Sequence, residues 1–193
     1  MKIIIFDDDP TGSQTGYGCP LLLNWDEKNL EKVFKQPSQL IFILANTRSL
    51  SSALADKKIR EICSSLKRVF IREGYSKDDY FYISRGDSTL RGHGVLEPAT
   101  LAEELGPFHA TFHIPAFFEG GRTTEDGIHY LNGIPVHMTD FGRDKLFGFS
   151  TSNQFYITIC EYTSHTFTKL IIQYSAYPCN IPFLHFPTLH IIL

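Results

Sequence analysis

The stretch that decides the fold is Asp79-Tyr80-Phe81-Tyr82-Ile83-Ser84-Arg85-Gly86-Asp87-Ser88-Thr89-Leu90-Arg91-Gly92. Its first five residues form a bulky, aromatic run that is typical of a buried strand. The residues that follow combine arginines, a carboxylate, hydroxyls and glycines. Arginine forks suit carboxylate or phosphate oxygens, and glycines allow backbone N–H groups to approach a ligand closely. The stretch therefore predicts a strand whose carboxyl end carries a site for a small anion; the alternative is a solvated loop with a tight turn.

Strand-like and helix-like segments alternate on both sides of this stretch. Apolar runs predict four strands, and apolar residues near the helical period, with capping residues and terminal glycines, predict three helices. The predicted strands are 2–6, 39–45, 79–84 and 109–114, and the predicted helices are 26–35, 51–73 and 95–105. This alternation predicts an α/β fold, a three-layer αβα arrangement with a mainly parallel sheet. Asn132-Gly133 adds a small β-hairpin near residues 128–138.

A polar cluster follows each predicted strand. The clusters are residues 7–12, 46–49, 84–92 and 115–124. Ligands of parallel α/β sheets bind at the carboxyl ends of the strands. We therefore expect all four clusters to gather at one edge of the sheet.

The first cluster holds three adjacent aspartates, Asp7, Asp8 and Asp9. Three carboxylates at a strand end cannot all be buried and charged without compensation. They indicate a hydroxylated ligand, a metal, or a general base for a hydroxyl group. The alternative is a solvated acidic turn.

Four arginines lie in the clusters: Arg48, Arg85, Arg91 and Arg122. Together they could neutralise a substrate carboxylate and a transferring phosphoryl group. The alternative is pairing with nearby aspartates, which we expect for at least one of them. The histidines show no zinc-ligand spacing, so no metal site is predicted.

The composition is that of an ordinary globular protein. The chain has 193 residues and a net charge of −3, which gives no electrostatic reason to expect nucleic acid or an anionic membrane as a partner. The four scattered cysteines favour reduced thiols. No segment reads as a signal peptide or a membrane span. We expect a cytoplasmic location.

The last forty residues differ from the rest. From Gln154 onward the only formally charged residues are Glu161 and Lys169, and no regular period persists. We therefore expect a domain over residues 1–152 and an atypical apolar tail over 153–193, either an out-of-frame or truncated end or an irregular extension that packs on the domain.

Several separated motifs resemble one family, the four-carbon acid sugar kinases, in their N-terminal domain. Its pattern D-D-x-T-G resembles residues 8–12, K-x-D-S-T-L-R-G-N resembles 85–93, and P-A-F-x-x-x-G-R-T-T-x-x-G-x-x-Y-x-x-G-x-P resembles 115–135. The resemblance covers about residues 2–152. Two positions depart from it: the family lysine is Arg85 and the family asparagine is His93. The first substitution keeps the charge but not the geometry.

The resemblance implies a domain that holds a small anionic sugar acid for phosphorylation by ATP. ATP and Mg²⁺ would be bound by a second domain that this chain lacks, so we expect little or no turnover by the chain alone. The expected catalytic residues are Asp8, Asp9 and Asp87. The expected substrate-binding residues are Thr11, Gly12, Asn46, Arg48, Arg85, Ser88, Thr89, Arg91, Gly121, Arg122 and Thr123.

Two other functions stay open from the sequence. Residues 7–11 also fit the D-x-D-x-T pattern of a haloacid-dehalogenase-like, Mg²⁺-dependent phosphatase, with Asp7 as nucleophile and Asp9 as acid. In that scheme residues 46–48 resemble the second motif. The third hypothesis is a non-catalytic remnant that binds a ligand or nothing.

Overall fold

The main sheet has seven strands in a computed structural model that describes residues 2–13, 16–108, 111–154, 170–172 and 189–192. In chain order its strands are β1 Lys2–Asp7, β2 Leu21–Leu22, β3 Leu40–Leu44, β4 Tyr80–Arg85, β5 Thr111–Ile114, β9 Leu170–Ile172 and β10 Leu189–Ile192. The helices are α1 Glu27–Phe34, α2 Ser52–Glu73 and α3 Leu96–Leu105. A second, small sheet holds β6 Arg122–Glu125, β7 Ile128–Leu131 and β8 Ile134–Pro135.

The main sheet is mostly parallel, in the order β2-β3-β1-β4-β10-β5-β9. β1 pairs in parallel with both β3 and β4, so that Asp7 lies opposite Leu44 on one side and Arg85 on the other. β10 is antiparallel and lies between β4 and β5. The predicted α/β fold with a mainly parallel sheet is confirmed, and the ends of β1, β3 and β4 lie side by side.

The core lies between this sheet and the helices. Strand alternation turns Ile4 and Phe6 to the face that packs against α1, α2 and α3, with Leu30, Ile62 and Leu101 from the three helices in the same cluster. A smaller cluster on the other face contains Ile5, Phe42 and Ile83. Packing against the helices holds the central strands in place. The strands in turn determine the positions of the loops that follow them.

Local sequence chemistry sets the helix ends. The Asp26 side chain accepts a hydrogen bond from the Asn29 N–H and caps α1. Gly74 ends α2 in the left-handed conformation, with φ +71°, where a glycine has no Cβ penalty. Pro98 lies in the first turn of α3, where its missing N–H is tolerated.

The small sheet contains two tight hairpins. The predicted turn at Asn132-Gly133 is present, with φ +50° and +79°, and joins β7 to β8. Asp126-Gly127, with φ +48° and +80°, joins β6 to β7 in the same way. Residues 122–125, which the sequence assigns only to a polar segment, therefore form a strand.

The predicted tail begins next to this small sheet. The His129 N–H donates to the Ser152 carbonyl at 2.9 Å, and Gln154 is fully buried. Beyond residue 154 the structure describes only β9 and β10, both in the main sheet. The expected division at residues 152 and 153 remains a prediction. Among the described residues, no helix combines the length and apolarity needed to cross a membrane.

Candidate functional site

Backbone hydrogen bonds hold three strand-end loops together at the carboxyl edge of the sheet. The Asp8 N–H donates to the Arg85 carbonyl at 3.2 Å, and the Arg48 N–H donates to the Asp8 carbonyl at 3.1 Å. The Asn46 N–H donates to the Asp7 carbonyl at 3.2 Å. The loops after β1, β3 and β4 therefore form one rim, as parallel topology predicts.

Arg48 connects two of the aspartates. Its Nε and Nη2 donate to the two oxygens of Asp8 at 2.9 and 2.8 Å, and Nη1 lies 3.4 Å from Asp9 Oδ2. Burial raises the pKa of Asp8, an effect that the Arg48 pair opposes and the charge of Asp87 reinforces. Burial favours a higher pKa for Asp9 as well. Hydrogen bonds from Thr11 and the charge of Arg48 outweigh it and hold the pKa of Asp9 below its usual range.

The loop after β4 folds around the Asp87 carboxylate. Asp87 accepts hydrogen bonds from the Thr89 N–H at 2.9 Å, the Thr89 hydroxyl at 2.6 Å and Arg91 Nε at 2.7 Å. Burial opposes ionisation of Asp87, yet these bonds and the charges of Arg48 and Arg91 hold its pKa below the usual range. Leu90 follows with φ +66°, a strained backbone for a residue with a Cβ. This loop is therefore held in one particular shape.

A buried ion pair lies beneath the rim. Arg85 Nη1 donates to Asp7 Oδ1 at 2.8 Å, and both side chains are almost inaccessible to solvent. Burial raises the pKa of Asp7 to about 6, and the charge of Arg85 opposes this rise. Gly12 packs directly on the pair, and a Cβ there would overlap the Arg85 guanidinium. Arg85 thus holds the rim from below.

Glu97 supports the rim from α3. Its Oε1 accepts a hydrogen bond from the Thr47 hydroxyl, and its Oε2 lies 3.5 Å from the Ser84 hydroxyl. Burial and then the negative charge of Asp8 raise the pKa of Glu97 to about 8, against the effect of these bonds and of Arg48. Glu97 is therefore mostly neutral at pH 7.

His129 connects the small sheet to the β4 loop. Its Nε2 lies 2.6 Å from the Ser88 carbonyl, and because a carbonyl only accepts, this nitrogen carries the proton. Its Nδ1 lies 2.8 Å from the Thr124 hydroxyl, which is also 2.8 Å from the Pro115 carbonyl. Burial lowers the pKa of His129, an effect that the hydrogen bond to the Ser88 carbonyl opposes. The small sheet is thereby attached to the loops after β4 and β5.

Arg122 differs from the other three arginines of the rim. Arg48, Arg85 and Arg91 each pair with an aspartate, whereas Arg122 pairs with no carboxylate among the described residues. Its guanidinium lies over the Phe117 ring at 5.3 Å, and its buried Nε has no hydrogen-bond partner. Its positive charge lowers the pKa of His129, a group on which Asp87 also acts. Arg122 and Thr124 alternate onto the same face of β6, and Thr124 is linked to the β4 loop through His129, so Arg122 lies on the side of the small sheet that faces this loop.

The other predicted site residues take different positions. Thr11 and Asn46 are exposed at the rim, and Asn46 adopts φ +51°. Ser88 is buried, and its carbonyl binds His129. Gly121 has φ +68° in a turn before β6. Strand alternation places Thr123 on the face opposite Arg122, so these two predicted ligand contacts do not lie together.

Sequence reasoning missed Glu97 and gave His129 no role. Glu97 reads as an ordinary acidic residue in the first turn of a helix. His129 could have been found from the Asp126-Gly127 hairpin signal, which pairs it with Thr124. His93 stands where the family pattern has an asparagine. Its Nε2 donates a hydrogen bond to the Leu50 carbonyl at 2.9 Å. His93 is thus a loop-holding residue.

The described residues do not form a group of magnesium ligands. Among them, no three carboxylate, histidine or cysteine side chains are grouped as metal ligands. The rim carboxylates are instead bonded to arginines and hydroxyls, as Asp8 is to Arg48 and Asp87 is to Thr89.

The structure is thus a parallel α/β domain with a rim of arginines and carboxylates at the carboxyl edge of its sheet. The chain belongs to the family of sugar-binding N-terminal domains, whose model matches residues 3–157. The resemblance to the four-carbon acid sugar kinases is thereby confirmed. No curated protein matches the chain.

Solved structures share this fold. One is a domain of unknown function from Bordetella bronchiseptica, a domain-swapped dimer with bound citrate, with 20% identity and a TM-score of 0.67. The match covers 89% of this chain and 47% of that one. Another is a Haemophilus influenzae protein with 12% identity and a TM-score of 0.61, covering 88% of this chain and 47% of that one. The chain therefore spans about half the length of these structures.

The phosphatase hypothesis loses support from the same geometry. It requires Asp7 as a nucleophile, but Asp7 is fully buried and bonded to Arg85. A nucleophile must reach the phosphorus of its substrate. Family membership and the position of Asp7 both argue against this function.

Proposed function

We propose that this chain is the substrate-binding half of an ATP-dependent kinase that phosphorylates a hydroxyl of a four-carbon sugar acid. Alone, it binds the acid in the cytoplasm and has little or no kinase turnover. ATP and Mg²⁺ are bound by residues outside those described. The relatives of known structure are about twice as long, which supports a division of the two substrates between two halves.

The observation that carries the proposal is the uncompensated charge of Arg122. A guanidinium with a buried donor and no carboxylate partner among the described residues is a ready receptor for a carboxylate. The citrate bound by the Bordetella bronchiseptica relative is itself a small polycarboxylate, which is consistent with this chemistry. Arg91, with a third of its side chain exposed, provides a second positive charge at the rim.

Asp9 is the aspartate best placed to meet the sugar-acid hydroxyls. A quarter of its side chain is exposed, compared with 2% for Asp8 and 11% for Asp87. Its Oδ1 is occupied by Thr11, and its Oδ2 lies 3.4 Å from Arg48. In this proposal Asp9 accepts a hydrogen bond from a substrate hydroxyl, while Asp8 and Asp87 hold the arginines in place.

The test is calorimetric titration of the purified chain with D-erythronate, and with erythritol as the matched ligand without a carboxylate. We expect erythronate to bind and erythritol not to bind. Arg122→Met keeps the packing on Phe117 but removes a charged hydrogen bond worth about 1.5–3 kcal/mol, so affinity should fall about 10- to 150-fold.

Arg143→Met is the matched control, because Arg143 is three-quarters exposed and pairs at 3.7 Å with Asp140. It should leave the affinity unchanged. Equal binding of erythritol, or an Arg122→Met variant with unchanged affinity, would contradict the proposal. ATP turnover with erythronate at ordinary kinase rates would contradict the part that assigns only substrate binding to this chain.

A further inference from the structure

Glu97 is a buried carboxyl group that the proposed function does not use. It lies in the first turn of α3 with 2% of its surface exposed, on a helix that otherwise buries residues such as Leu101 and Leu105 against the sheet. Apolar side chains would fill a helix–sheet interface without the penalty of burying a carboxyl group. Packing alone therefore does not account for Glu97.

The partners of Glu97 come from the strand ends that carry the rim. Thr47, whose hydroxyl donates to Oε1, directly precedes Arg48, and Ser84, close to Oε2, directly precedes Arg85. Glu97 thus connects the loop after β3 with the end of β4, through the residues that directly precede Arg48 and Arg85.

The charged groups around Glu97 are few. Asp8 acts on it from the loop after β1, and Arg48 acts on it from the loop after β3. On α2, which packs against α3, Asp56 and Arg60 bond to each other, and Asp56 accepts from the Thr100 hydroxyl. A negative charge on Glu97 would repel Asp8 and compete with it for Arg48.

We infer that Glu97 is a positioning residue that holds the loops after β3 and β4 together through Thr47 and Ser84, so that Arg48 stays on Asp8. When Glu97 loses its proton, Arg48 shifts and ligand affinity falls. This inference rests on the proposed function for its effect on binding, but its effect on Arg48 can be measured without any ligand.

The experiment follows two readouts from about pH 6 to pH 9, on either side of the titration of Glu97. One is the NMR signal of the Arg48 Nε–H group without ligand, and the other is the calorimetric affinity for D-erythronate. In the wild-type chain we expect the Arg48 signal to move between pH 7 and 9 and the affinity to fall at least about threefold over that range. Glu97→Gln, which mimics the neutral carboxyl group, should abolish both changes and retain the pH 7 affinity.

Glu103→Gln is the matched control on the same helix, since Glu103 is partly exposed and pairs with Arg60. It should keep the wild-type profile. An Arg48 signal that does not titrate, or a Glu97→Gln variant that keeps the alkaline loss, overturns the inference. If Glu97→Gln does not fold, the pH dependence of the Arg48 NMR signal in the wild-type chain decides alone. If Arg48 titrates as expected but erythronate never binds, Glu97 keeps its positioning role and the proposed function fails.

Discussion

His113 should make the stability of this domain fall in mild acid. It lies on β5, buried, with Nε2 2.9 Å from the Gln154 side-chain oxygen. Burial lowers the pKa of His113 from 6.5 to about 4, against the effect of the Gln154 hydrogen bond. Because the pKa is lower in the folded chain, His113 is protonated in the unfolded chain but neutral in the folded chain at pH values between about 4 and 6.5. The contribution of neutral His113 to the free energy of unfolding is therefore fully present above about pH 6.5, and it is lost as the pH falls towards 4.

The size of the effect follows from the shift. A difference of about 2.5 pH units, at about 1.36 kcal/mol each, gives about 3 kcal/mol between the two limits. We expect His113→Gln to lose this dependence, because an amide does not titrate in this range. Asp7, whose pKa is raised to about 6, acts in the opposite direction but is the same in both proteins. The difference between the two stability curves therefore isolates His113.

The assay is urea unfolding of both proteins at about pH 7.5 and pH 4.5, with the linear slope near 2 kcal/mol/M that is usual for small domains. The urea midpoint of the wild-type chain should fall by about 1 M more than that of His113→Gln. An NMR titration of the His113 ring gives its pKa directly. Parallel stability curves, or a His113 ring that titrates near 6.5, would refute the reasoning.

Two further predictions concern glycine and core positions. Gly12→Ala should lower the free energy of unfolding by about 1–3 kcal/mol and weaken erythronate binding, because the new Cβ overlaps the Arg85 guanidinium. Gly86→Ala, in open space, is its control, and an equal loss in the two would contradict this packing. Ile62→Ala should lower the free energy of unfolding by about 2–5 kcal/mol, since Ile62 is fully buried on α2. Leu54→Ala, at a half-exposed position of the same helix, should change it by less than about 0.5 kcal/mol in the same urea assay.

Elements with local start and stop signals were predictable from the sequence. Asp26 caps α1, Gly74 ends α2 and Asn132-Gly133 turns between β7 and β8, as their residue types indicate. The apolar runs of β1, β3 and β4 also identify buried strands, because both faces of the sheet are covered there. The convergence of the polar loops then followed from topology alone.

The features that the sequence did not predict depend on contacts between segments that are distant along the chain. The first turn of α3 contains Glu97 beside apolar residues, and nothing local reveals that it faces Thr47, fifty positions earlier. The strand pairing of residues 122–125 depends on β7, and the role of His129 depends on the position of the Ser88 carbonyl. The sequence pattern identifies the four arginines, but it does not show that Arg48, Arg85 and Arg91 pair with aspartates while Arg122 does not among the described residues.

The pairing of acids and bases at the rim also governs how a ligand arrives. Asp7, Asp8, Asp9 and Asp87 lie among Arg48, Arg85, Arg91 and Arg122, so the four carboxyl groups, when ionised, balance the four guanidinium charges. A patch with so little net charge projects almost no potential beyond the screening length of about 10 Å in dilute salt. Anions are therefore not drawn in from a distance, and the association rate should be nearly independent of ionic strength. We expect recognition to begin on contact, when the carboxylate of the ligand reaches Arg122, the rim arginine that pairs with no carboxylate among the described residues.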